Sequence, residues 1–209
     1  MSNKVLTQEE RETVKTYNLY AKEWIKTHHT TNFWAPELKQ LKNYIPQGKI
    51  LEIGSGAGID AKELIHLGYK YTGTDISLGL IKEAQKRNPK TKFIHESVYE
   101  LNFLENNFDG FWAVAVLLHI PKSRIDEALQ RIHFVIKANG TGLISLKKGT
   151  GEKMIEQEFQ NKKFRRFYSF YSLNEFSKVL KRNKFEILSP YIRKSTKDIW
   201  LIYFVKVIK

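Results

Sequence analysis

Residues 49–58 read KILEIGSGAG, and the fold of the chain follows from this stretch. The mostly apolar run 50–53 predicts a short buried strand, and three glycines follow it at alternate positions. A helical pattern then runs from Ile59 to Leu67 and stops at Gly68. Glycine lets the backbone approach a ligand closely because it has no Cβ, and the first amide groups of a helix attract anions. The stretch therefore predicts a ligand site between a strand and a helix.

The glycine spacing separates two classes of ligand. A dinucleotide fingerprint needs a third glycine or an alanine three residues after the second glycine. That position is Ile59 here, because Gly58 lies only two residues after Gly56. A second anchor, Asp75, follows Gly54 by 21 residues and ends a predicted strand, where its carboxylate can accept both hydroxyls of a ribose. Both ligand classes use such an acid, so Asp75 alone does not choose between them.

Strands and helices alternate along the middle of the chain. Beyond the first unit, the apolar runs predict strands at Tyr69–Asp75, Thr91–Glu96, Phe108–Leu117 and Thr141–Leu146, with helices at Leu78–Asn88 and from Pro121 to Asn139-Gly140. This alternation predicts an α/β fold with a doubly wound, mostly parallel sheet and helices on both faces.

The end of the chain shows a different pattern. A capping box at residues 172–175 opens a helix that reaches Lys181. Two apolar runs follow, Phe185–Ile192 and Ile199–Val207, and a short polar segment joins them. They predict an antiparallel hairpin that ends the fold.

Two amphipathic helices are expected before the first strand, at residues 8–28 and at Phe33–Tyr44 with Asn32 as its cap. Residues 1–46 would then form a lid over the strand ends. Tyr17 and Tyr20 are candidates for substrate contact, and ordinary core packing explains them equally well.

Composition narrows the class of protein. The chain has 209 residues, 42% of them hydrophobic, which fits a single globular domain over residues 1–209. No cysteine is present, so disulfides, zinc–thiolate sites and thiol nucleophiles are excluded. No apolar run reaches the roughly 18 residues of a membrane span, and the N-terminus lacks the apolar core of a signal peptide, so a cytoplasmic protein is expected. The histidines show no metal-ligand spacing beyond the pair His28-His29, and no metal is expected.

Positive charge is concentrated late in the chain. Residues 147–197 hold 14 Lys and Arg against 5 Asp and Glu, out of a net charge of +13. Such a region could meet an anionic substrate, a nucleic acid or a membrane surface. Residues 147–170 lack clear periodicity and are expected to leave the sheet on the substrate side. We expect a solvated or weakly steering role for their basic cluster, which comprises Lys162, Lys163, Arg165 and Arg166.

Over nearly its whole length the chain resembles the class I S-adenosylmethionine-dependent methyltransferases. The matching stretches are ILEIGSGAGIDAKEL, YTGTDIS, FIHESVYEL, FDGFWAVAVLLHIP, IKANGTGLISLK and the closing strand pair. The resemblance implies a seven-stranded sheet whose last strand is antiparallel. It also implies S-adenosyl-L-methionine as the cofactor and S-adenosyl-L-homocysteine as its product.

The same resemblance assigns cofactor-binding residues. The glycine turn would pass along the methionine part of the cofactor, Asp75 would hold the ribose, and Ile76 would cover one face of the adenine. The family often has an aspartate after the third strand, but Ser97 stands there, so adenine recognition should be weaker. The complete set of implied cofactor contacts is Glu52, Gly54, Ser55, Gly56, Gly58, Asp75, Ile76, Ser97, Val98 and Ala113.

The fourth strand and the segment after it should carry the acceptor side of the site. Ala113 and Ala115 are small enough to let the sulfur and the substrate approach each other. Trp112 and His119 are substrate-side candidates, and His119 could accept a proton because its ordinary pKa lies near neutrality. A structural histidine that orients the loop before Pro121 is the alternative.

Three functions fit the sequence. The first is methyl transfer to a small molecule by in-line displacement, which needs alignment and a dry site rather than a dense catalytic cluster. The second is methylation of RNA, such as tRNA, with the basic region on phosphates and Phe164, Phe167 or Tyr168 stacked on bases. The third is cofactor binding without turnover. A monomer or a homodimer would suit each of them.

Overall fold

The structure, a computed structural model, describes residues 6–27, 33–159 and 161–209. The helices are α1 (Gln8–Leu19), α2 (Ala21–Thr27), α3 (Ala35–Tyr44), α4 (Ala61–His66), α5 (Leu78–Arg87), α6 (Ile125–Val135) and α7 (Leu173–Arg182). The strands are β1 (Lys49–Ile53), β2 (Lys70–Asp75), β3 (Phe93–His95), β4 (Phe108–Val114), β5 (Ile136–Lys147), β6 (Glu152–Phe159), β7 (Lys162–Ser169), β8 (Phe185–Lys194) and β9 (Ile199–Val207). Within these ranges no helix is both long and apolar enough to cross a membrane.

Seven strands form one sheet in the order β3-β2-β1-β4-β5-β9-β8. Strands β1 to β5 pair in parallel, and β9 runs antiparallel between β5 and β8. The predicted fold class is confirmed, including the antiparallel strand at the end of the chain. The strand order reverses between β1 and β4, and in such sheets the carboxyl ends of the strands leave a crevice at that point.

Strand β4 and helix α6 both end earlier than the sequence predicts. Strand β4 stops at Val114 because Ala115 has a φ of +53°, and a short 3₁₀ turn then covers Leu117–His119. Helix α6 ends at Val135, and Asn139, with a φ of +62°, lies in an irregularity of β5 rather than at the helix end. In both places a residue with positive φ marks a change of backbone conformation.

The N-terminal helices differ in detail from the expectation. The predicted helix 8–28 is broken at Tyr20 into α1 and α2, and α3 begins at Ala35 rather than Phe33. The expected cap Asn32 lies outside the described residues. Helix α1 packs on the start of α5, where the side-chain oxygen of Asn18 accepts hydrogen bonds from Ser77 Oγ (2.9 Å) and Gly79 N (2.8 Å).

Residues 147–170 are more regular than the sequence indicates. Strands β6 and β7 form a separate two-stranded antiparallel sheet, here called the β6–β7 hairpin. The hairpin packs against α1, since Thr16 Oγ1 donates a hydrogen bond to the carbonyl of Arg165 (2.7 Å) and the amide of Phe167 donates one to Thr13 Oγ1 (2.8 Å). The first helix and the hairpin therefore form one wall, although about 150 residues separate their sequences.

A buried acid anchors α1 to the segment after β3 and to the start of α6. Glu10 accepts hydrogen bonds from the hydroxyl of Tyr99 and from Arg124 Nη1, the latter at 2.8 Å. The Arg124 guanidinium also lies 3.9 Å from the centre of the Tyr99 ring. Glu10 is almost wholly buried, so its charge is stabilised mainly by this arginine.

We expect Glu10→Ala to lower the free energy of unfolding by about 3 kcal/mol, because it removes the buried carboxylate that pairs with Arg124 and accepts from the Tyr99 hydroxyl, while the longer contact between Arg124 and Glu127 remains. Urea unfolding followed by circular dichroism would measure the loss. Glu12→Ala is the matched control, since Glu12 lies on the same helix and pairs with the half-exposed Arg165, a contact worth less than about 1 kcal/mol. Equal losses in the two variants would contradict the assigned role of Glu10.

Candidate functional site

A cavity of about 840 Å³ lies at the carboxyl ends of β1, β2 and β4, where the strand order reverses. Its opposite wall comes from α1, the β6–β7 hairpin and the segment 195–198. Most of the residues that the sequence assigns to the site line this cavity: Tyr17, Glu52, Gly54, Ser55, Gly56, Asp75, Ile76, Ser97, Val98 and His119.

The three glycines of the turn have positive φ angles, from +53° to +70°, but their surroundings differ. A Cβ on Gly54 would lie 2.5 Å from the side chain of Val116, so this glycine permits close packing of β1 against the end of β4. A Cβ on Gly58 would meet Asn88 and Phe93, and Gly58 does not line the cavity, so its contact with the cofactor stays a prediction. A Cβ on Gly56 would meet nothing within 4 Å, and Gly56 lines the cavity. Gly56 is therefore the glycine whose added side chain would occupy ligand space.

Asp75 fastens the glycine turn to the end of β2. Its two carboxylate oxygens accept hydrogen bonds from Gly56 N (2.8 Å) and Ser77 N (2.7 Å). Burial raises the pKa of Asp75, and the two backbone hydrogen bonds oppose that shift. Each oxygen keeps a further lone pair, so the carboxylate can still accept hydroxyl groups of a ligand in the cavity.

Two acids form a second polar feature of the cavity: Glu52 is buried, and Asp60 is partly exposed. Burial raises the pKa of Glu52 well above its usual value, and the nearby Asp60 raises it further, whereas a hydrogen bond from Tyr71 lowers it. Burial also raises the pKa of Asp60 to about 6. Both acids line the cavity, so a cation placed there would relieve their repulsion.

Asp60 was not among the predicted site residues, and Trp112 was. Trp112 is fully buried, and its Nε1 donates a hydrogen bond to Asp60 Oδ2 at 3.0 Å, so a substrate-side role for Trp112 stays a prediction. Trp112 thus holds Asp60 from behind and does not line the cavity. An acid two residues after Gly58, the last glycine of the turn, was the available sequence signal for Asp60.

The segment after β3 contributes Glu96 beside the predicted Ser97 and Val98. Oε1 of Glu96 accepts a hydrogen bond from Asn102 N at 2.8 Å, and its Oε2 is buried without a partner among the described residues. Ser97 Oγ accepts a hydrogen bond from Tyr99 N at 3.3 Å. A free carboxylate oxygen therefore lies next to the serine that replaces the family's aspartate.

Tyr17, His119 and Arg166 form a hydrogen-bonded chain beside the cavity. His119 Nδ1 lies 2.6 Å from the carbonyl of Phe167, which can only accept, so Nδ1 carries the proton of the neutral ring. Nε2 is then an acceptor, and the hydroxyl of Tyr17 donates to it at 2.9 Å. Arg166 Nη1 donates to the same Tyr17 oxygen at 3.0 Å.

Arg166 does not belong to a solvated face, contrary to the expectation for the basic cluster. In β7 the alternate residues Phe164, Arg166 and Tyr168 line the cavity, while Lys163 and Arg165 are exposed. Side chains of a strand alternate between its two faces, so the period-two pattern in this stretch was the missed signal.

The pKa of His119 is lowered to about 3, mainly by burial and next by the positive charge of Arg166. The hydrogen bond to the Phe167 carbonyl opposes this shift. His119 is therefore neutral near physiological pH. Its Nε2 reaches other groups through the Tyr17 hydroxyl, so the two side chains act as one polar unit.

Two further predicted residues lie outside the cavity lining. Ala113 is fully buried within β4, and Ala115, one step past the strand end, lines the cavity instead. Tyr20, at the break between α1 and α2, packs its ring on Phe164, with 4.5 Å between centroids. Among the described residues no group of three His, Asp or Glu side chains could hold a metal ion, and His28 and His29 are not described.

Comparisons with known proteins place this geometry in a family. Residues 50–140 match a family described as a methyltransferase domain. An uncharacterized protein of Methanocaldococcus jannaschii is 33% identical over 83% of this chain and 82% of its own length. The phosphoethanolamine N-methyltransferase of Plasmodium falciparum is 26% identical over 73% of this chain, which spans 58% of that enzyme.

A solved structure of similar fold is that of the Burkholderia thailandensis 1,6-didemethyltoxoflavin-N1-methyltransferase, bound to its substrate and S-adenosylhomocysteine. The TM-score is 0.76 at 18% identity, and the match covers all of this chain and 94% of that protein. At this identity the similarity concerns the fold.

We expect His119→Asn to change the pH dependence of stability. The folded-state pKa of His119 lies below the unfolded value, so its contribution is complete above about pH 6.5 and is lost as the pH falls towards 3. The variant should lose this slope, at most about 1.4 kcal/mol per pH unit, when urea unfolding is measured between about pH 4 and 6. Above pH 7 the difference in the free energy of unfolding between wild type and variant should not change with pH. Parallel stability curves across the acidic range would contradict a neutral, buried His119.

Proposed function

This chain belongs to the class I S-adenosylmethionine-dependent methyltransferases, and we propose that it methylates a small organic molecule by in-line displacement. The observation that carries the proposal is the cavity of about 840 Å³, whose outer wall is α1 and the β6–β7 hairpin. This volume lies within the roughly 300–1,000 Å³ of small-molecule sites. The names of two similar enzymes agree, since one acts on phosphoethanolamine and the other on a toxoflavin precursor.

The glycine turn and its neighbours suit the cofactor. Gly56 leaves open space, Asp75 can accept the two ribose hydroxyls, and Ile76 lies next to it in the cavity lining. Glu52 and Asp60, two acids with raised pKa values, suit the ammonium group of the methionine part. We assign Ser97, Val98 and the free oxygen of Glu96 to the adenine. When bound, S-adenosylmethionine supplies an electrophilic methyl group on a sulfonium centre.

The Tyr17–His119 pair suits the acceptor side. The Tyr17 oxygen is both a donor to His119 and an acceptor from Arg166, so its position is fixed by two hydrogen bonds. A nucleophile with a proton can donate it towards this oxygen while the Tyr17 proton moves to His119 Nε2. The low pKa of His119 makes this a weak base, so we assign the pair first to orientation and then to proton acceptance.

Methylation of RNA is less well supported. The aromatic residues proposed to stack on bases, Phe164, Phe167 and Tyr168, are all buried. The exposed cations of the hairpin already have carboxylate partners: Lys162 pairs with Glu23, Lys163 with Glu156 and Arg165 with Glu12. These contacts leave little of the hairpin free for a phosphate backbone. A cytoplasmic location and a monomeric or homodimeric state remain part of the proposal.

Label transfer tests the proposal directly. The purified protein is incubated with methyl-labelled S-adenosylmethionine and either the small-metabolite fraction or the total RNA of a cell extract. Labelled product in the small-metabolite fraction supports the proposal. Label that appears only in RNA would contradict the proposal and identify RNA as the methyl acceptor.

We expect Gly56→Val to abolish binding of S-adenosylhomocysteine and Asp75→Ala to weaken it at least about tenfold. The branched side chain would occupy the ligand space at a φ of +53°, whereas loss of the carboxylate removes charge-assisted hydrogen bonds worth about 1.5–3 kcal/mol. Isothermal titration calorimetry measures both affinities.

Gly151→Val is the matched control for the glycine. Gly151 also has a positive φ, +73°, and open space around its Cβ position, but it does not line the cavity. This variant carries the same backbone strain and should bind S-adenosylhomocysteine as the wild type does. Normal binding by a folded Gly56→Val protein would refute the assignment of the glycine turn.

A further inference from the structure

Arg166 is a buried cation without a carboxylate partner. Only 5% of the residue is exposed, yet among the described residues no Asp or Glu forms an ion pair with it. Its Nη1 donates to the Tyr17 hydroxyl and its Nη2 to the side-chain oxygen of Gln157, both uncharged groups. Its Nε is buried and has no hydrogen-bond partner in the described chain.

This arrangement is costly for a folded protein. Buried charges are normally paired, and a buried donor without an acceptor loses its hydration without replacement. Other basic residues of the hairpin show the usual solution, since Lys162, Lys163 and Arg165 each pair with a carboxylate. Of these four residues, only Arg166 lines the cavity, and it is the one that lacks a carboxylate partner among the described residues.

Aromatic rings supply part of the missing stabilisation. The guanidinium carbon lies 4.6 Å from the ring centre of Trp24, 5.4 Å from that of Tyr168 and 5.5 Å from that of Tyr17. Ring faces attract a cation and leave its N–H groups free for an anion. The rings therefore hold the guanidinium in place without neutralising it.

A second cation lies beside the same ring. Lys147 Nζ is 4.9 Å from the ring centre of Tyr168 and pairs with Asp198 at 2.8 Å. Lys147, Arg166 and Tyr168 all line the cavity. The positive charges of Arg166 and Lys147 both act on His119, so this charge reaches the acceptor side of the site.

We propose that Arg166 binds an anionic group of the methyl acceptor, a phosphate or a carboxylate, beside Tyr17 and His119. The free Nε–H and an Nη–H of one guanidinium match two oxygens of such a group. Lys147 adds a second positive charge close by. This inference rests on the proposed function, because it assigns the substrate class of the same cavity.

The test uses the full chain labelled with ¹⁵N-arginine and saturated with S-adenosylhomocysteine. Inorganic phosphate is titrated in one series and acetate in a parallel series, and the Nε–H resonances of arginine are followed. The Arg166 resonance is assigned by its absence in Arg166→Gln and again in Arg166→Lys, which keeps the positive charge. The Arg166 resonance should shift during the titration, because its unpartnered Nε–H gains an acceptor. The anion that binds more tightly shows whether the acceptor carries a phosphate or a carboxylate.

Arg165→Gln is the matched control, because Arg165 is the preceding residue and lies on the exposed face of the strand. Because the Arg166 variants lack the Arg166 resonance, isothermal titration calorimetry measures the anion affinity of wild type and variants. We expect Arg166→Gln to weaken binding of the preferred anion about tenfold or more, Arg166→Lys to weaken it less, and Arg165→Gln to leave it unchanged. Affinity for S-adenosylhomocysteine should be retained in all three variants.

Two failures are distinguishable. If the wild type binds S-adenosylhomocysteine but neither anion moves the Arg166 resonance, the anion site is refuted and the proposed function stands. Equal anion binding by wild type and Arg166→Gln would refute it as well. If the wild type does not bind S-adenosylhomocysteine, the proposed function itself fails.

Discussion

The hydrogen bond between the Gly56 amide and the Asp75 carboxylate is the constraint on which the site depends. It joins the turn after β1 to the end of β2 at 2.8 Å, and the second carboxylate oxygen fixes the start of α5 through Ser77. Because the carboxylate is buried, its charge is supported mainly by these two amides. The open space over Gly56 lies directly beside this link between neighbouring strands.

The sequence predicts this half of the molecule well, because its signals are local. Glycines that need positive φ, an acid at a strand end and long apolar runs each fix a position within a parallel sheet. The sequence does not show which side chains of this half face the cavity: Gly58 packs against Phe93, and Trp112 supports Asp60 from behind. The direction of a side chain next to a turn depends on tertiary packing, and a single segment of sequence does not encode that packing.

The other half of the site could not be predicted in the same way. The β6–β7 hairpin has a period-two pattern, but an arginine on its inner face resembles the arginine before it on the outer face. Burial of Arg166 depends on Tyr17 and Trp24, which lie far away in the sequence. The walls that meet the acceptor thus come from segments outside the sheet, which can vary while the cofactor half keeps its form.

Helix α1 joins the two halves through consecutive residues. Tyr17 bonds to His119 on the acceptor side, and Asn18 bonds to Ser77 and Gly79 directly after the Asp75 segment. A displacement of α1 large enough to open this wall breaks both sets of hydrogen bonds together. In kinetic terms, release of the methylated product and exchange of the spent cofactor then share one motion and one barrier.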